Sequence, residues 1–246
     1  MKKMFRNNSP ILNVYKKNSI KSEITTQMIF GDTFLIKKKI GKWLKIKSKE
    51  DRYEGFIKKK DFNNYLPPTH KICKLKAKTY KNLKLKSNFK LFPFGSKIAV
   101  NKKNKKFLRF DNKWIAEKDV KPVNFKYKNI FSKIKIFKDI KYKWGGKSYK
   151  GIDCSALVQI FLNFNNSFCP RDTKDQIKYF KKNVDLKNIK KNDIIYWKGH
   201  VAVALNNKKL IHAYGPMKKT VIMDINQTIK RIERTAKLKV IEIKRL

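Results

Sequence analysis

The apolar residues in the first half of the chain come in short runs that turn residues interrupt, and this spacing restricts the fold more than any other feature. Residues 33–36, 43–46 and 53–57 alternate apolar and polar side chains, a pattern typical of half-buried strands. The pairs Gly31-Asp32 and Gly41-Lys42 supply turns. Strands this short and this closely spaced predict a small β-barrel.

A second barrel is predicted after a short linker. The two prolines of YLPPTH, residues 65–70, remove hydrogen-bond donors and extend the chain. The strand pattern then recurs more weakly in FGSKIAV, KKFLRF and NKWIAEKDV, where Trp114 takes a place like that of Trp43. We therefore predict one SH3-sized domain over residues 1–67 and a degenerate copy of it over residues 68–122.

The third predicted domain, residues 123–246, changes from strand spacing to helical spacing and back. In DCSALVQIFLNF, the predicted apolar helix face consists of Ala156, Leu157, Ile160, Phe161 and Phe164. A second helix is predicted across RDTKDQIKYFKK, with Asp172 or Thr173 as its N-cap. Strand-like runs follow in DIIYWK, HVAVALNN and KLIHAYG, with a hairpin turn at residues 206–209. Helices followed by an antiparallel meander predict an α+β domain.

The net charge of +45 invites a nucleic-acid interpretation through attraction to phosphate. Most of the 63 basic residues are lysines spread over every segment, whereas dedicated readers of phosphates and bases favour arginine. We interpret the charge as solvated lysine faces. This interpretation predicts weak binding to polyanions and no specific nucleic-acid partner.

Two absences bear on the predicted location. No run approaches about 18 apolar residues, so no membrane-spanning helix is expected. The first ten residues, MKKMFRNNSP, are not followed by the apolar stretch of a secretory signal. We expect a cytoplasmic monomer without a membrane partner. The three cysteines are irregularly spaced, which predicts neither a disulfide framework nor a CxxC metal site.

Cys154 lies where a glycine-containing loop meets the first predicted helix. The N–H groups at a helix start lack helical partners, and the helix dipole there favours anions. We therefore expect this thiol to ionise more readily than a free cysteine. A lone cysteine in an apolar helix is also a common core residue, so position alone leaves both interpretations open.

Two of the three histidines, His200 and His212, lie on adjacent predicted strands. If the hairpin turns at residues 206–209, residues whose numbers sum to about 412 lie opposite each other, and the two histidines are cross-strand neighbours on one face. This arrangement fits a general base held by a third polar group, as nucleophilic catalysis by Cys154 requires. Two histidines can also bind zinc, but the sequence supplies no further ligands at zinc spacing, so no metal is predicted.

The motifs YKWGG, GIDCSALVQ, PRDTKDQ, KNDIIYWKGHVAVAL and LIHAY occur in the order and approximate spacing of the NlpC/P60 family of cysteine peptidases. Residues 140–214 resemble that family, and the resemblance implies a papain-like domain with a helix packed on an antiparallel sheet. It further implies that Cys154 is the nucleophile, His200 the general base and His212 the group that orients the base. Tyr142 becomes a candidate oxyanion donor beside the Cys154 backbone N–H. No cofactor is implied.

The segments SEITTQMIFGD and DRYEGFIKKKDF resemble the bacterial SH3-like domain that precedes the NlpC/P60 domain in cell-wall-peptide hydrolases. The resemblance implies a γ-D-glutamyl-L-diamino-acid endopeptidase of the dipeptidyl-peptidase VI type, which requires a free N-terminal L-Ala on its substrate. By this analogy, the residues that bind the substrate's α-amine are Tyr53, Glu23, Asp153 and Ser155. A buried ammonium needs a carboxylate and further acceptors around it. Arg171 is expected to be structural.

These expectations describe a cysteine peptidase that hydrolyses the bond between γ-D-Glu and a diamino acid in free peptides derived from peptidoglycan, as in recycling of murein peptides. The sequence leaves open whether the diamino acid is diaminopimelate or lysine. Two alternatives remain: a module that binds cell wall or polyanions and has an inactive thiol site, and an amidase or acyltransferase on the same scaffold.

Overall fold

The structure is a computed structural model that describes residues 3–85 and 87–246, and its contacts divide the chain into two units. The first unit comprises Met1–Phe125 and Lys147–Tyr149, and the second comprises Lys126–Gly146 and Lys150–Leu246. None of the described helices is long and apolar enough to cross a membrane. The domain boundaries at residues 67 and 122 stay predictions.

The first unit begins with a seven-stranded antiparallel sheet. Its strands are β1 (Met4–Arg6), β2 (Ile11–Tyr15), β3 (Ile24–Ile29), β4 (Thr33–Ile40), β5 (Trp43–Ser48), β6 (Glu54–Lys58) and β7 (Asn63–Asn64). They pair in the order β3-β2-β6-β5-β4-β1-β7, so the three alternating segments that predict strands are confirmed as β4, β5 and β6. The core side chains of this sheet include Val14, Phe34, Leu44, Ile46 and Ile57. Leu44 and Ile46 alternate with less buried residues along β5, as a half-buried strand requires.

A second set of strands completes most of the first unit. These strands are β8 (His70–Ile72), β9 (Lys76–Tyr80), β10 (Phe89–Pro93), β11 (Lys97–Ile98), β12 (Lys102–Asn104), β13 (Phe107–Phe110), β14 (Lys113–Ala116), β15 (Val120–Pro122) and β16 (Lys147–Ser148). Two antiparallel sheets form, β10-β9-β14-β13-β12 and β11-β8-β15. Phe30, just after β3, packs edge-on against Phe92 and Phe110 in their core. The pairings of the described strands close no sheet of this unit into a complete barrel.

The second unit combines three helices with a six-stranded sheet. Its elements are β17 (Gly151–Ile152), α1 (Cys154–Phe164), α2 (Thr173–Tyr179), β18 (Lys182–Asn183), β19 (Ile194–Trp197), β20 (His200–Ala204), β21 (Lys209–Tyr214), β22 (Lys219–Asp224), α3 (Ile225–Ala236) and β23 (Val240–Arg245). The sheet order is β18-β23-β19-β20-β21-β22, and every pair is antiparallel. The predicted α+β class and the meander β19-β20-β21 are confirmed.

Helix α1 is buried on nearly all sides, and this burial fixes the position of its first residue. The predicted apolar face is confirmed, with Ala156, Leu157, Ile160, Phe161 and Phe164 at most 2% exposed. The opposite side is buried as well, so the prediction of a one-faced helix was too narrow. Helix α2 is shorter than the predicted segment, and the structure assigns Asp172 as its N-cap.

Helix α3 is absent from the sequence-based prediction. Asp224 caps it by accepting a hydrogen bond from the N–H of Gln227 at 3.0 Å, and Ile225, Ile229 and Ile232 pack onto the sheet. Apolar residues at i, i+4 and i+7 behind an aspartate are a helix signal. The many charged residues on the outer face of α3 conceal this signal in an average of hydropathy.

Candidate active site

Cys154 is the first residue of α1, and the loop before it holds its thiol in place. Asp153 caps the helix, because its carboxylate accepts a hydrogen bond from the N–H of Ala156 at 2.9 Å. Gly146 and Gly151 approach so closely that a Cβ on Gly146 would lie 2.5 Å from the Gly151 carbonyl oxygen. The glycines of this loop therefore permit the close backbone packing that precedes the thiol.

The Cys154 thiol faces the beginning of β20. Its Sγ lies 3.9 Å from the carbonyl oxygen of Gly199, to which the S–H donates, and the backbone N–H of Val201 donates to the sulfur. Gly199 has a φ of 74° in the tight hairpin turn between β19 and β20, a conformation that favours glycine. Gly199 and Val201, whose backbone groups contact the thiol, flank His200 in the sequence. The turn therefore places the backbone of His200 between these two contacts.

The expectation that Cys154 ionises readily is wrong for the resting site. Burial, with a smaller contribution from the negative charge of Asp153, raises the pKa of the Cys154 thiol to about 12. Hydrogen bonds from backbone N–H groups and the charge of Arg171 oppose this shift but do not cancel it. The helix dipole favours the thiolate at this terminus. The desolvation of a buried thiolate costs more free energy than the dipole supplies. The thiol is therefore protonated at neutral pH.

The two histidines lie on one face as predicted, but their register is shifted. Val203 pairs with Ile211 and Ala204 with Leu210, so opposite residues sum to 414 and not to about 412. A shift of two residues preserves the face of each side chain, since the side-chain period of a strand is two. The rings are consequently diagonal neighbours, and Nε2 of His200 lies 2.8 Å from Nδ1 of His212.

The hydrogen bonds of this pair define which nitrogen carries each proton. Nε2 of His212 lies 3.4 Å from the Sδ atom of Met223, and a thioether can only accept. His212 therefore donates from Nε2, and its Nδ1 accepts the proton of His200 Nε2–H. Burial lowers the pKa of His200 to about 4 and lowers the pKa of His212 as well. Both rings are neutral at pH 7, and Nδ1 of His200 keeps a lone pair that can take a proton.

Aromatic contacts restrict the movement of both rings. The His212 ring stacks on Tyr214 with centroids 4.6 Å apart, and His200 lies 5.6 Å from the ring of the buried Trp197. Among the described residues, no group of three or more His, Cys, Asp and Glu side chains could hold a metal ion. The arrangement suits proton transfer between neutral groups.

Tyr142, the candidate oxyanion donor, is half-buried in the same unit. A Cβ on Gly215 would lie 3.6 Å from Cε1 of Tyr142, so the ring rests against the end of β21. Burial raises the pKa of Tyr142, and the negative charge of Asp153 raises it further. The hydroxyl therefore keeps its proton and remains a hydrogen-bond donor near the thiol.

Asp153 and Ser155 belong to a buried network around Arg171. The Asp153 carboxylate accepts hydrogen bonds from the Gly145 N–H at 2.9 Å and from the Arg171 Nη1 at 3.1 Å. Arg171 also donates to the Ser155 hydroxyl at 2.7 Å, and each of the three residues is at most 6% exposed. The guanidinium thus ties its loop to the start of α1, as expected of a structural arginine. The role of Asp153 and Ser155 in binding an amine stays a prediction.

Tyr53 and Glu23 belong to the first unit. The backbone N–H of Tyr53 donates to the Asp51 carboxylate at 3.1 Å, and Glu23 forms an exposed ion pair with Lys16 at 3.3 Å. Their assignment to substrate binding rests on the resemblance and stays a prediction.

A feature of this site that the sequence reasoning missed is a cavity beside His200. Its volume is about 360 Å³, and residues of α3, including Arg231 and Ile232, form part of its wall. The cavity depends on α3, which the sequence analysis does not include, and on the return of the chain through Leu238. The cap at Asp224 is the signal that could have led to it.

Comparison with known proteins identifies two domains of the chain. The sequence profile of the NlpC/P60 family matches residues 139–235, which contain Cys154, His200 and His212. The chain carries an NlpC/P60 domain. A profile described as the bacterial dipeptidyl-peptidase SH3 domain matches residues 14–62, which run from β2 to β6. The predicted combination of an NlpC/P60 domain with an N-terminal bacterial SH3-like domain is confirmed.

Similar proteins agree with this assignment. The gamma-D-glutamyl-L-lysine dipeptidyl-peptidase of Bacillus subtilis is 26% identical over 240 residues, which cover 87% of this chain and 80% of that protein. Dipeptidyl-peptidase 6 of Lysinibacillus sphaericus is 35% identical over 72 residues, which cover 29% of this chain and only 27% of that protein. An NlpC/P60 family protein from Bacillus cereus has the same fold, with a TM-score of 0.84 at 17% identity over 98% of this chain and 99% of that one. The chain is a peptidase and therefore a hydrolase.

Proposed function

We propose that the NlpC/P60 domain is a cysteine peptidase that hydrolyses the bond between γ-D-Glu and a diamino acid in free peptides derived from peptidoglycan. The observation that carries the proposal is the Cys154 thiol at the start of α1, facing the strand position of His200, whose ring is held by His212. The similarity to a protein named gamma-D-glutamyl-L-lysine dipeptidyl-peptidase supports the substrate class.

In the proposed acylation step, Nδ1 of His200 takes the thiol proton while the Cys154 sulfur attacks the γ-carbonyl carbon of D-Glu. Transfer during the attack suits a protonated thiol and a neutral imidazole, because neither charge has to exist in the buried resting site. The oxyanion accepts hydrogen bonds from the Cys154 backbone N–H and the Tyr142 hydroxyl. His200 then donates its proton to the leaving nitrogen, and the C–N bond breaks.

Deacylation uses the same groups in reverse. His200 takes a proton from water, whose oxygen attacks the thioester carbonyl carbon, and the C–S bond breaks as the sulfur regains a proton. The products are the diamino acid and the dipeptide L-Ala-D-Glu. His212 accepts the hydrogen bond from His200 throughout, and this bond keeps the reactive nitrogen directed at the thiol.

Selection of a free N-terminal amine is part of the proposal. Asp153 and Ser155 adjoin the candidate nucleophile, and an ammonium would share the Asp153 oxygens with Arg171. The resemblance adds Tyr53 and Glu23 to the amine-binding residues. An enzyme with this requirement acts on peptides already released from glycan, and on this basis we propose a cytoplasmic role in murein peptide recycling.

The test is incubation of the full chain with L-Ala-γ-D-Glu-diaminopimelate and L-Ala-γ-D-Glu-L-Lys, each with a free or an acetylated N-terminus. Mass spectrometry should find L-Ala-D-Glu from the free peptides alone. Cys154→Ala should abolish the product, whereas Cys73→Ala, which removes a partly exposed thiol of the first unit, should not. Hydrolysis that survives in Cys154→Ala would contradict the proposed nucleophile. Equal cleavage of acetylated peptides would favour the amidase alternative.

A further inference from the structure

The cavity beside His200 has the size and composition of a small-molecule site. Its volume is about 360 Å³, within the range of about 300–1,000 Å³ typical of ligand pockets. His200 and Tyr142 form one part of its wall, and Ile232 and Leu238 supply apolar surface at another. Such a space accommodates a short chain of methylene groups that begins at His200.

The charged groups of this cavity are all positive. Lys198, in the turn before His200, and Arg231, on α3, both contribute to the wall, and both are exposed. No aspartate or glutamate is among its described lining residues. Neither cation takes part in an ion pair within the described part of the chain. Two cations without an anion create a positive potential that favours carboxylate groups.

The position of His200 relates this cavity to one end of the substrate. In the proposed reaction His200 protonates the leaving nitrogen, so this nitrogen must lie at the His200 ring. The Asp153, Ser155 and Arg171 cluster is not among the described residues that line the cavity. A leaving group that starts at His200 therefore has the cavity available to it, and the cluster proposed for the N-terminal amine lies outside the cavity wall.

We propose that this cavity is the subsite for the leaving diamino acid, and that Arg231 and Lys198 select one that carries a second carboxylate, of the diaminopimelate class, over lysine. The inference rests on the proposed function and names its substrate more narrowly. The apolar wall at Ile232 and Leu238 packs against the methylene groups. Arg231 binds one carboxylate with its planar guanidinium, and Lys198 neutralises the other.

The side-chain end of lysine is a cation and is repelled by this pair, whereas the end of diaminopimelate is a zwitterion. The expected order of kcat/KM for L-Ala-γ-D-Glu-X therefore follows the charged groups of the X side chain. 2-Aminopimelate, with a carboxylate alone, should be highest, then diaminopimelate, with a carboxylate and an ammonium, then norleucine, with neither, and lysine, with an ammonium alone, lowest. Both cations are exposed, so each step should be modest, about two- to fivefold. The preference should shrink at 0.5 M salt, because exposed charges are screened.

The experiment measures kcat/KM for these four peptides with the full chain, with Arg231→Gln and with Lys198→Gln. The matched control is Arg234→Gln, which removes a charge from the same helix outside the cavity. The first two variants should reduce the ratio of 2-aminopimelate to lysine peptide, while the control keeps it. Equal rates for the four peptides, or a ratio unaffected by Arg231→Gln, would overturn the subsite and leave the proposed function standing.

A second readout separates the two proposals if no peptide is cleaved. Free 2-aminopimelate and free lysine are titrated into Cys154→Ala with and without Arg231→Gln, and binding is followed by calorimetry. Binding of 2-aminopimelate that is several times tighter than lysine and depends on Arg231 would support the anion subsite while the proposed reaction fails. Equal or undetectable binding of both would overturn the subsite as well.

Discussion

The two sides of the candidate active site carry their charges in opposite ways. On the side of the helix cap, Asp153 and Arg171 are at most 5% exposed and are bonded to each other. On the side of α3, Lys198 and Arg231 are exposed and have no carboxylate among the residues that line their cavity. Both pairs lie close to the reacting residues in the sequence or in the structure, but only the second pair is free to bind an anion.

This difference separates buried charges that are already paired with each other from exposed cations that have no carboxylate partner. Removal of one member of a buried pair leaves the other desolvated and unpaired. Removal of an exposed cation changes little in the folded protein. Substitution of Arg171 should therefore act mainly on stability, and substitution of Arg231 mainly on substrate preference.

Substitution of the buried arginine should have the largest effect. We expect Arg171→Met to lower the free energy of unfolding by about 3–5 kcal/mol, because Asp153 is left buried without its cation. Urea denaturation followed by tryptophan fluorescence measures the change. Arg231→Met is the matched control on the other side and should change the free energy of unfolding by no more than about 0.5 kcal/mol.

The double variant Asp153→Asn, Arg171→Met sharpens this result. It removes the uncompensated charge, so it should recover part of the stability that Arg171→Met loses. Similar small losses for Arg171→Met and Arg231→Met would show that the two sides do not differ as their burial indicates.

The parts of the candidate site that the sequence predicts correctly are those that depend on local patterns. The position of Cys154 follows from the apolar spacing of α1, and the shared face of His200 and His212 follows from the hairpin pattern. The face survives the register error because the strand period is two. Local patterns of this kind need no knowledge of distant residues.

The pKa of Cys154 and the cavity could not be predicted from the sequence, because both depend on residues that are distant in the chain. The pKa of Cys154 depends on how deeply the helix start is buried, and this depth is set by strands more than 40 residues away in the chain. The dipole argument considers only the helix itself. The cavity likewise requires α3 and the β19–β20 turn to be brought together, which no local pattern reports. Electrostatics and cavities are properties of packing.

The pH dependence of activity tests whether burial or the nearby cations control His200. Burial lowers the pKa of His200 to about 4, and protonated His200 cannot accept the thiol proton. The acid limb of kcat/KM should therefore fall near pH 4. A histidine with an ordinary pKa of about 6.5 would leave only about 1% of the activity at pH 4.5.

Arg231→Gln makes this test specific. Because burial is the cause of the lowered pKa, loss of the Arg231 charge should leave the acid limb in place while it changes substrate preference. An acid limb near pH 6.5 in the unmodified chain would contradict the neutral resting pair. An acid limb that moves to higher pH in Arg231→Gln would show that the nearby cations cause the low pKa of His200.

The smallest effect is expected at Met223, which belongs to neither side but sets the protons of the histidine pair. Met223→Leu removes the acceptor for His212 Nε2–H, so the tautomer that leaves the lone pair on His200 Nδ1, the proposed base, loses its preference. We expect kcat to fall about three- to tenfold, in proportion to the loss of one hydrogen bond, with KM unchanged.

Met28→Leu, at a buried methionine of the first unit, is the control for the substitution itself. Met223→Gln restores an acceptor oxygen and should recover part of kcat, whereas a residue that only fills space would be replaced best by leucine.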